Sequence, residues 1–142
     1  EPHMPLKAYQ SMNAYKLFMM DVGLLGALSE LPAEAILEGN DIFVEFKGAL
    51  TEQYVLQQMI SDTPYTPYYY GTDKGTFEQD FLIQKERNIV PIEVKAEGNL
   101  RSQSLKAYCE KFHPNMAVRL SALKYKEQDW MINLPLYAVC NL

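Results

Sequence analysis

The sequence predicts a single α/β domain with the core order α-β-β-β-α-β behind an N-terminal strand-helix layer. Three observations predict it. A long proline-free stretch from Asp41 to Ser61 has helical character. Runs of strand-forming residues follow it at Tyr68–Gly71, Phe77–Gln84 and Ile89–Ala96. A second helical pattern, Ser102 to Lys111, separates these from another strand-like run, "MAVRLSAL". The chain has 142 residues, enough for one domain with a sizeable core. With 48% apolar and 22% charged residues, it belongs among globular chains and not disordered ones.

Each element has a local reason. "AYKLFMMD" alternates as a short strand over Tyr15–Met20, and Asp21 then caps a helix over Val22–Ser29. "LPAEAILEGN" reads as a short helical turn closed by Gly39-Asn40. Asp41 places an acid at the start of the long helix. "DTPYTPYYYG" breaks that helix with two prolines and starts a tyrosine-rich strand, and "TDKGT" turns the chain into the hairpin. Ser102 begins the second helix and Pro114 stops it. "KYKEQDW" is a polar turn, and the apolar "MINLPLYAVCNL" is expected to dock against the sheet.

The hairpin is unusual because three charges lie inside its apolar runs. Strand alternation puts Phe77, Gln79, Phe81 and Ile83 on one face and Glu78, Asp80, Leu82 and Gln84 on the other. In the second strand Val90, Ile92, Val94 and Ala96 oppose Ile89, Pro91, Glu93 and Lys95. Bringing the apolar faces together requires an odd sum of paired residue numbers. A turn at Glu86-Arg87 then sets Asp80 opposite Glu93, and a turn at Arg87-Asn88 sets it opposite Lys95. Phe77, Phe81, Ile92 and Val94 are expected to be buried. Facing carboxylates repel, so they call for Lys95 or a divalent cation such as Mg²⁺, which takes oxygen ligands. A solvent-facing side with a Lys–Asp pair is the plainer alternative. Glu52 shares a helical stripe with Gly48, Val55 and Met59, either as a buried acid needing a partner or as an acid at the stripe's edge.

Charge and cysteine content narrow the function classes. The net charge of −5 argues against a stand-alone DNA binder, because phosphate-binding proteins are usually basic. Cys109 and Cys140 lack metal-ligand spacing and read as reduced thiols, consistent with a cytoplasmic protein. No apolar run reaches the ~18 residues of a membrane span, and no signal peptide is expected. The opening "EPHM" is either native or carries a cloning remnant.

An acid at Asp80, then Glu93-Val94-Lys95, with Glu52 on a preceding helix, resembles the PD-(D/E)XK nuclease superfamily with its restriction-endonuclease-like core. A wider resemblance runs through "YKLFMMDVGLLGAL", "GNDIFVEFKGALTEQYVLQQM", "EQDFLIQ", "IVPIEVKA" and "SLKAY". These stretches, including Asp21-Val22-Gly23-Leu24, are similar to a C-terminal domain of unknown function behind the ATPase module of bacterial and archaeal AAA-type ATPases. Gln79 departs from that pattern, where an apolar residue is common.

The resemblance implies that the chain is a C-terminal piece with an ATPase module upstream as its partner. The P-loop pattern is accordingly absent here. The resemblance also implies that Asp80 and Glu93 hold Mg²⁺ or Mn²⁺, that Lys95 orients the attacking water, and that Glu52 holds a second ion or its water. Gln84 is expected near this cluster. Ser102 and Ser104 would serve as phosphate contacts or plain helix caps. Two functions follow: metal-dependent cleavage of nucleic acid, or an inactive nuclease-fold module that couples DNA or a protein to the ATPase.

Overall fold

The computed structural model describes residues 1–38, 41–72, 77–96 and 101–142, the side chains at 38, 41–43 and 45 excepted. The helices are α1 (Val22–Leu28), α2 (Ala33–Glu38), α3 (Asp41–Asp62) and α4 (Gln103–Phe112). The strands are β1 (Tyr68–Gly71), β2 (Glu78–Lys85), β3 (Asn88–Lys95), β4 (Val118–Ser121), β5 (Lys126–Glu127) and β6 (Ile132–Pro135). They form one mixed sheet in the order β1-β2-β3-β4-β6-β5. β1, β2 and β3 run as an antiparallel meander, and α4 carries the chain across to β4, which pairs parallel to β3. β6 pairs parallel to β4, and β5 closes the far edge.

Both faces of the sheet are covered. On one, Val55 and Met59 of α3 and Val139 and Leu142 at the C-terminus meet Phe81, Ile83, Val90, Ile92, Val118 and Leu120. On the other, Tyr108 and Phe112 of α4 and Leu6 of a 3-10 turn (Leu6–Tyr9) cover Leu82, Ile89, Tyr70 and Phe77. Leu105 of α4 packs on Ala117 and Met131 beside them. A strand covered on both sides buries consecutive residues. Phe81, Leu82 and Ile83 are accordingly all buried.

The caps agree with the chain chemistry. The Asp21 side chain accepts the Leu24 amide at 2.7 Å, as the sequence indicates. α4 ends at His113, whose left-handed φ of 50° turns the backbone and lets its amide reach the Cys109 carbonyl. The β2–β3 turn is Glu86-Arg87, with Glu86 at φ 55°. No glycine or asparagine at Glu86 advertises that turn. The expected Gly39-Asn40 cap and most of the "TDKGT" turn lie outside the described residues, as does the side chain of Asp41.

Six expectations need correction. Tyr15–Met20 is extended but is not a strand of the sheet. Its main chain is satisfied by a side chain instead: the Gln53 amide accepts from Met19 N and donates to Met19 O, both at 2.9 Å. The polar turn after β4 contains the short strand β5, and the closing segment supplies a sheet strand, β6, before its 3-10 helix (Leu136–Asn141). Ser102 makes no side-chain capping bond. Phe77 is half-buried on the face opposite Phe81, and Val94 is half-buried too.

The two-sided core sets a contrast that denaturation can read. Ile92→Ala in the sheet centre is expected to cost about 2–5 kcal/mol. Ile60→Ala on the exposed side of α3 is expected to cost under about 0.5 kcal/mol. Comparable losses in urea would contradict this assignment of the core.

Candidate functional site

The site begins where β2 stops being a regular strand. β2 and β3 pair from Lys85↔Asn88 up to Phe81↔Ile92. The ladder has no pair beyond Phe81↔Ile92, so the expected pairing of Asp80 opposite Glu93 is not made. Against β1 the register shifts between Tyr68↔Leu82 and Tyr70↔Gln79. Asp80 and Phe81 therefore face the single residue Tyr69, a β-bulge. Bulges concentrate where a side chain must be re-aimed. One extra residue reverses the alternation before it, so Phe77 moves to the opposite face and Asp80 turns to the α3 side, towards Glu52 and Lys16, while Glu93 and Lys95 stand on the α4 side beside Arg119; the expected meeting of Asp80 with Glu93 on one face is therefore corrected.

Beyond Phe81↔Ile92, side chains take over from the ladder. The Val94 amide donates to Asp80 Oδ2 at 2.7 Å. Gln79 Nε2 donates to the Ile92 carbonyl at 2.7 Å. Gln79 is fully buried, so the polar residue at this position serves the backbone of β3. Burial pushes the Asp80 carboxyl up to about 6, the field of Glu52 and then Glu93 adding to it, while the Val94 amide and Lys16 act the other way.

Glu93 is only 2% exposed. Its Oε1 lies 3.1 Å from Lys95 Nζ, and its Oε2 is buried with no hydrogen-bond partner among the described residues. Lys95 thus pairs with Glu93, not with Asp80. Arg119 stands beside Glu93 on β4 in the parallel register. Burial lowers the Arg119 pKa, and the Glu93 charge counters this. Arg119 Nε donates to Asn133 Oδ1 at 2.9 Å, and Ser121 Oγ donates to the same atom at 2.7 Å. Arg119 Nη1 is 3.4 Å from Ser102 Oγ, so Ser102 faces the sheet and not the helix amides.

Glu52 lies on the α3 stripe with buried Val55 and Met59, and it has a partner. Lys16 Nζ lies 2.8 Å from Glu52 Oε1 and also pairs with Glu78. Burial alone lowers the Lys16 pKa, but hydrogen bonds and fields from Glu52 and Glu78 outweigh it, and the net shift is upward. A cavity of about 300 Å³ adjoins this pair, lined by Phe18, Met19, Leu25 and Gln53 among others. Gln84 is elsewhere: its Oε1 accepts the Leu6 amide at 3.1 Å.

The acids therefore form two groups with Asp80 sensing both. One is Glu52, Glu78 and Lys16, the other Glu93, Lys95 and Arg119. Among the described residues, no three His, Cys, Asp or Glu side chains are gathered as a metal cage. What the sequence reading missed is Lys16, Arg119 and Asn133. The last two had a signal: with Ser121, they alternate with apolar residues in short strands, which in a covered sheet means buried polar groups.

The raised Asp80 value has a definite sign. The folded state holds this proton more tightly than an ordinary carboxyl at 3.8, so the group favours folding at acid pH. That contribution is lost as the pH rises from 3.8 to about 6. It amounts to about 3 kcal/mol. Asp80→Asn keeps an acceptor for Val94. It is expected to remove this slope and to be the more stable protein at pH 7 in urea denaturation. A less stable variant with the slope retained would show that the ionised carboxylate is structural.

No curated protein and no solved structure matches the chain. No described helix is long and apolar enough to cross a membrane. Residues 47–138 match the model of a domain of unknown function, DUF4143, a span that contains Glu52, Asp80, Glu93, Lys95 and Arg119 and leaves out Lys16. The chain belongs to this DUF4143 family.

Proposed function

We propose that the Asp80–Glu93 end of the hairpin is a divalent-metal site for phosphodiester hydrolysis in nucleic acid, on a restriction-endonuclease-like core. The observation that carries this is Glu93 Oε2, a buried carboxylate oxygen without a donor among the described residues. A buried charge needs a partner, and Mg²⁺ or Mn²⁺ bound through two carboxylates and waters would supply one without a third acid. The ladder order α3-β1-β2-β3-α4-β4 and the Glu93-Val94-Lys95 step support the same reading.

The chemistry divides among named residues. Asp80 and Glu93 would hold the cation, which would supply polarisation of a phosphate and a more acidic water. Lys95, already beside Glu93 Oε1, orients that water and offsets charge on the phosphate. Arg119 keeps positive charge behind Glu93. Glu52 is the reserve ligand. Domains of this family are commonly found with AAA ATPases, and an upstream ATPase module would bring the DNA that a chain of charge −5 holds poorly.

A second reading, a non-catalytic module that binds a partner for such an ATPase, is favoured by the absence of a three-acid cage among the described residues. Fold alone does not imply activity. Melting with Mn²⁺ separates the two. Millimolar Mn²⁺ is expected to stabilise the chain by about 2.7 kcal/mol at a hundredfold excess over Kd. The gain should vanish in Asp80→Asn/Glu93→Gln. The same pair of proteins should differ in Mn²⁺-dependent cleavage of single-stranded, duplex and branched DNA. Identical melting of the wild type with and without Mn²⁺ would favour the module.

The charge makes a separate prediction. The isolated chain is expected to bind duplex DNA more weakly than about 1 μM at physiological salt, since few phosphates are neutralised. Submicromolar binding in a fluorescence-anisotropy titration would overturn it.

A further inference from the structure

The charge of the chain is not evenly spread. From Leu17 to Phe46 the sequence has six acids and no lysine or arginine. The whole chain carries −5, so everything outside this stretch sums to +1. The acidic stretch is also where apolar side chains stay outside. No residue of α1 has a polar side chain, and none of them is buried. A helix that is apolar all round is ordinarily enclosed. α1 packs on α3, and this leaves Leu24, Ala27 and Leu28, one helix face at i, i+3 and i+4, exposed.

The apolar surface continues on either side of α1. Leu17 and Met20 are 87% and 89% exposed, and on α2 Ala35 is buried while Ile36 and Leu37 are exposed. Leu17 and Leu25 line the cavity of about 300 Å³, whose walls include Phe18, Met19 and Ala49. Single apolar residues on a surface are ordinary, whereas a set grouped about a cavity marks a place where another molecule docks. The fringe is acidic: Asp21 before α1, Glu30 after it and Glu34 in the first turn of α2 are all exposed. Lys16, on the cavity wall, is already paired with Glu52 and Glu78.

We propose that the α1–α2 layer is a docking surface for a basic, amphipathic helix of a partner protein. One apolar side chain of that helix fills the cavity, and its lysines or arginines face Asp21, Glu30 and Glu34. Charge selects this occupant. A second copy would bring six acids against six, and nucleic acid or an anionic membrane would bring phosphates, so each is repelled. A basic helix with an apolar stripe covers Leu24 and Leu28 inside a rim of opposite charge. The face needs no metal, and it lies on the α3 side of the sheet, away from Glu93 and Lys95.

The test uses the full chain and a labelled helical peptide of leucine and lysine, with leucines at i, i+3, i+4 and i+7, in a fluorescence-anisotropy titration. A peptide of the same pattern with glutamate for lysine is the control. The lysine peptide is expected to bind at least about tenfold more tightly than the glutamate peptide. Leu24→Ser/Leu28→Ser, both at exposed positions, is expected to weaken it about tenfold, the scale of one hot-spot contact. Glu30→Gln/Glu34→Gln is expected to weaken it about threefold and to flatten its salt dependence, as rim charges do. Leu123→Ser, at an exposed leucine in the loop after β4, should leave it unchanged. Equal binding of the two peptides, or unchanged binding by both double variants, would overturn the docking surface. So would a loss as large in Leu123→Ser. A wild-type dimer in analytical ultracentrifugation that Leu24→Ser/Leu28→Ser dissolves would overturn it too, and would give the face to a second copy.

Discussion

The bond from the Val94 amide to the Asp80 carboxylate is the interaction on which the site depends. It replaces a main-chain bond at the point where β2 bulges, so the hairpin opens there without leaving a buried amide unpaired. An unpaired buried amide costs about 1–3 kcal/mol. The same bond holds a carboxylate inside the sheet layer, away from bulk water. Gln79 completes the exchange by donating to Ile92 O. Asparagine at position 80 could keep the bond. Only an acid keeps it and also carries charge into a place where Glu52, Lys16 and Glu93 are felt.

The two covered faces explain why each charge near the hairpin has a partner within reach. In an open sheet, Glu93, Arg119 and Asn133 would face water. With α4 above them they are buried, and they bind one another or stand beside one another in register. Partners within the protein thus satisfy most of this layer, which makes the two buried side-chain oxygens left over among the described residues, Gln79 Oε1 and Glu93 Oε2, informative. Lys16 plays a corresponding part on the α3 side, where two of the acids share a single ammonium.

Much of this was legible in the sequence. The α3 to β4 order, the Asp21 cap, the Tyr68–Gly71 strand and the parity of the hairpin register all follow from periodicity and capping chemistry. The bulge was not legible. Alternation carries no mark of an extra residue when both sheet faces are apolar, as around Phe81-Leu82-Ile83, so Phe77 and Asp80 were both set on the wrong side. Tyr15–Met20 has the period of a strand, but period alone does not show whether a second strand or a glutamine side chain satisfies the backbone. Lys16 escaped notice because its acids, Glu52 and Glu78, are far away in sequence. Arg119 and Asn133 could have been found by asking what polar residues do in strands covered on both sides.

The central claim is that Asp80 and Glu93 together hold a divalent cation at the opened end of the hairpin. Anomalous diffraction from crystals grown with Mn²⁺ tests it most directly. The account expects one peak in contact with a carboxylate oxygen of each, Glu93 Oε2 among them. A peak at neither acid, in crystals where Mn²⁺ is seen elsewhere on the protein, would contradict it.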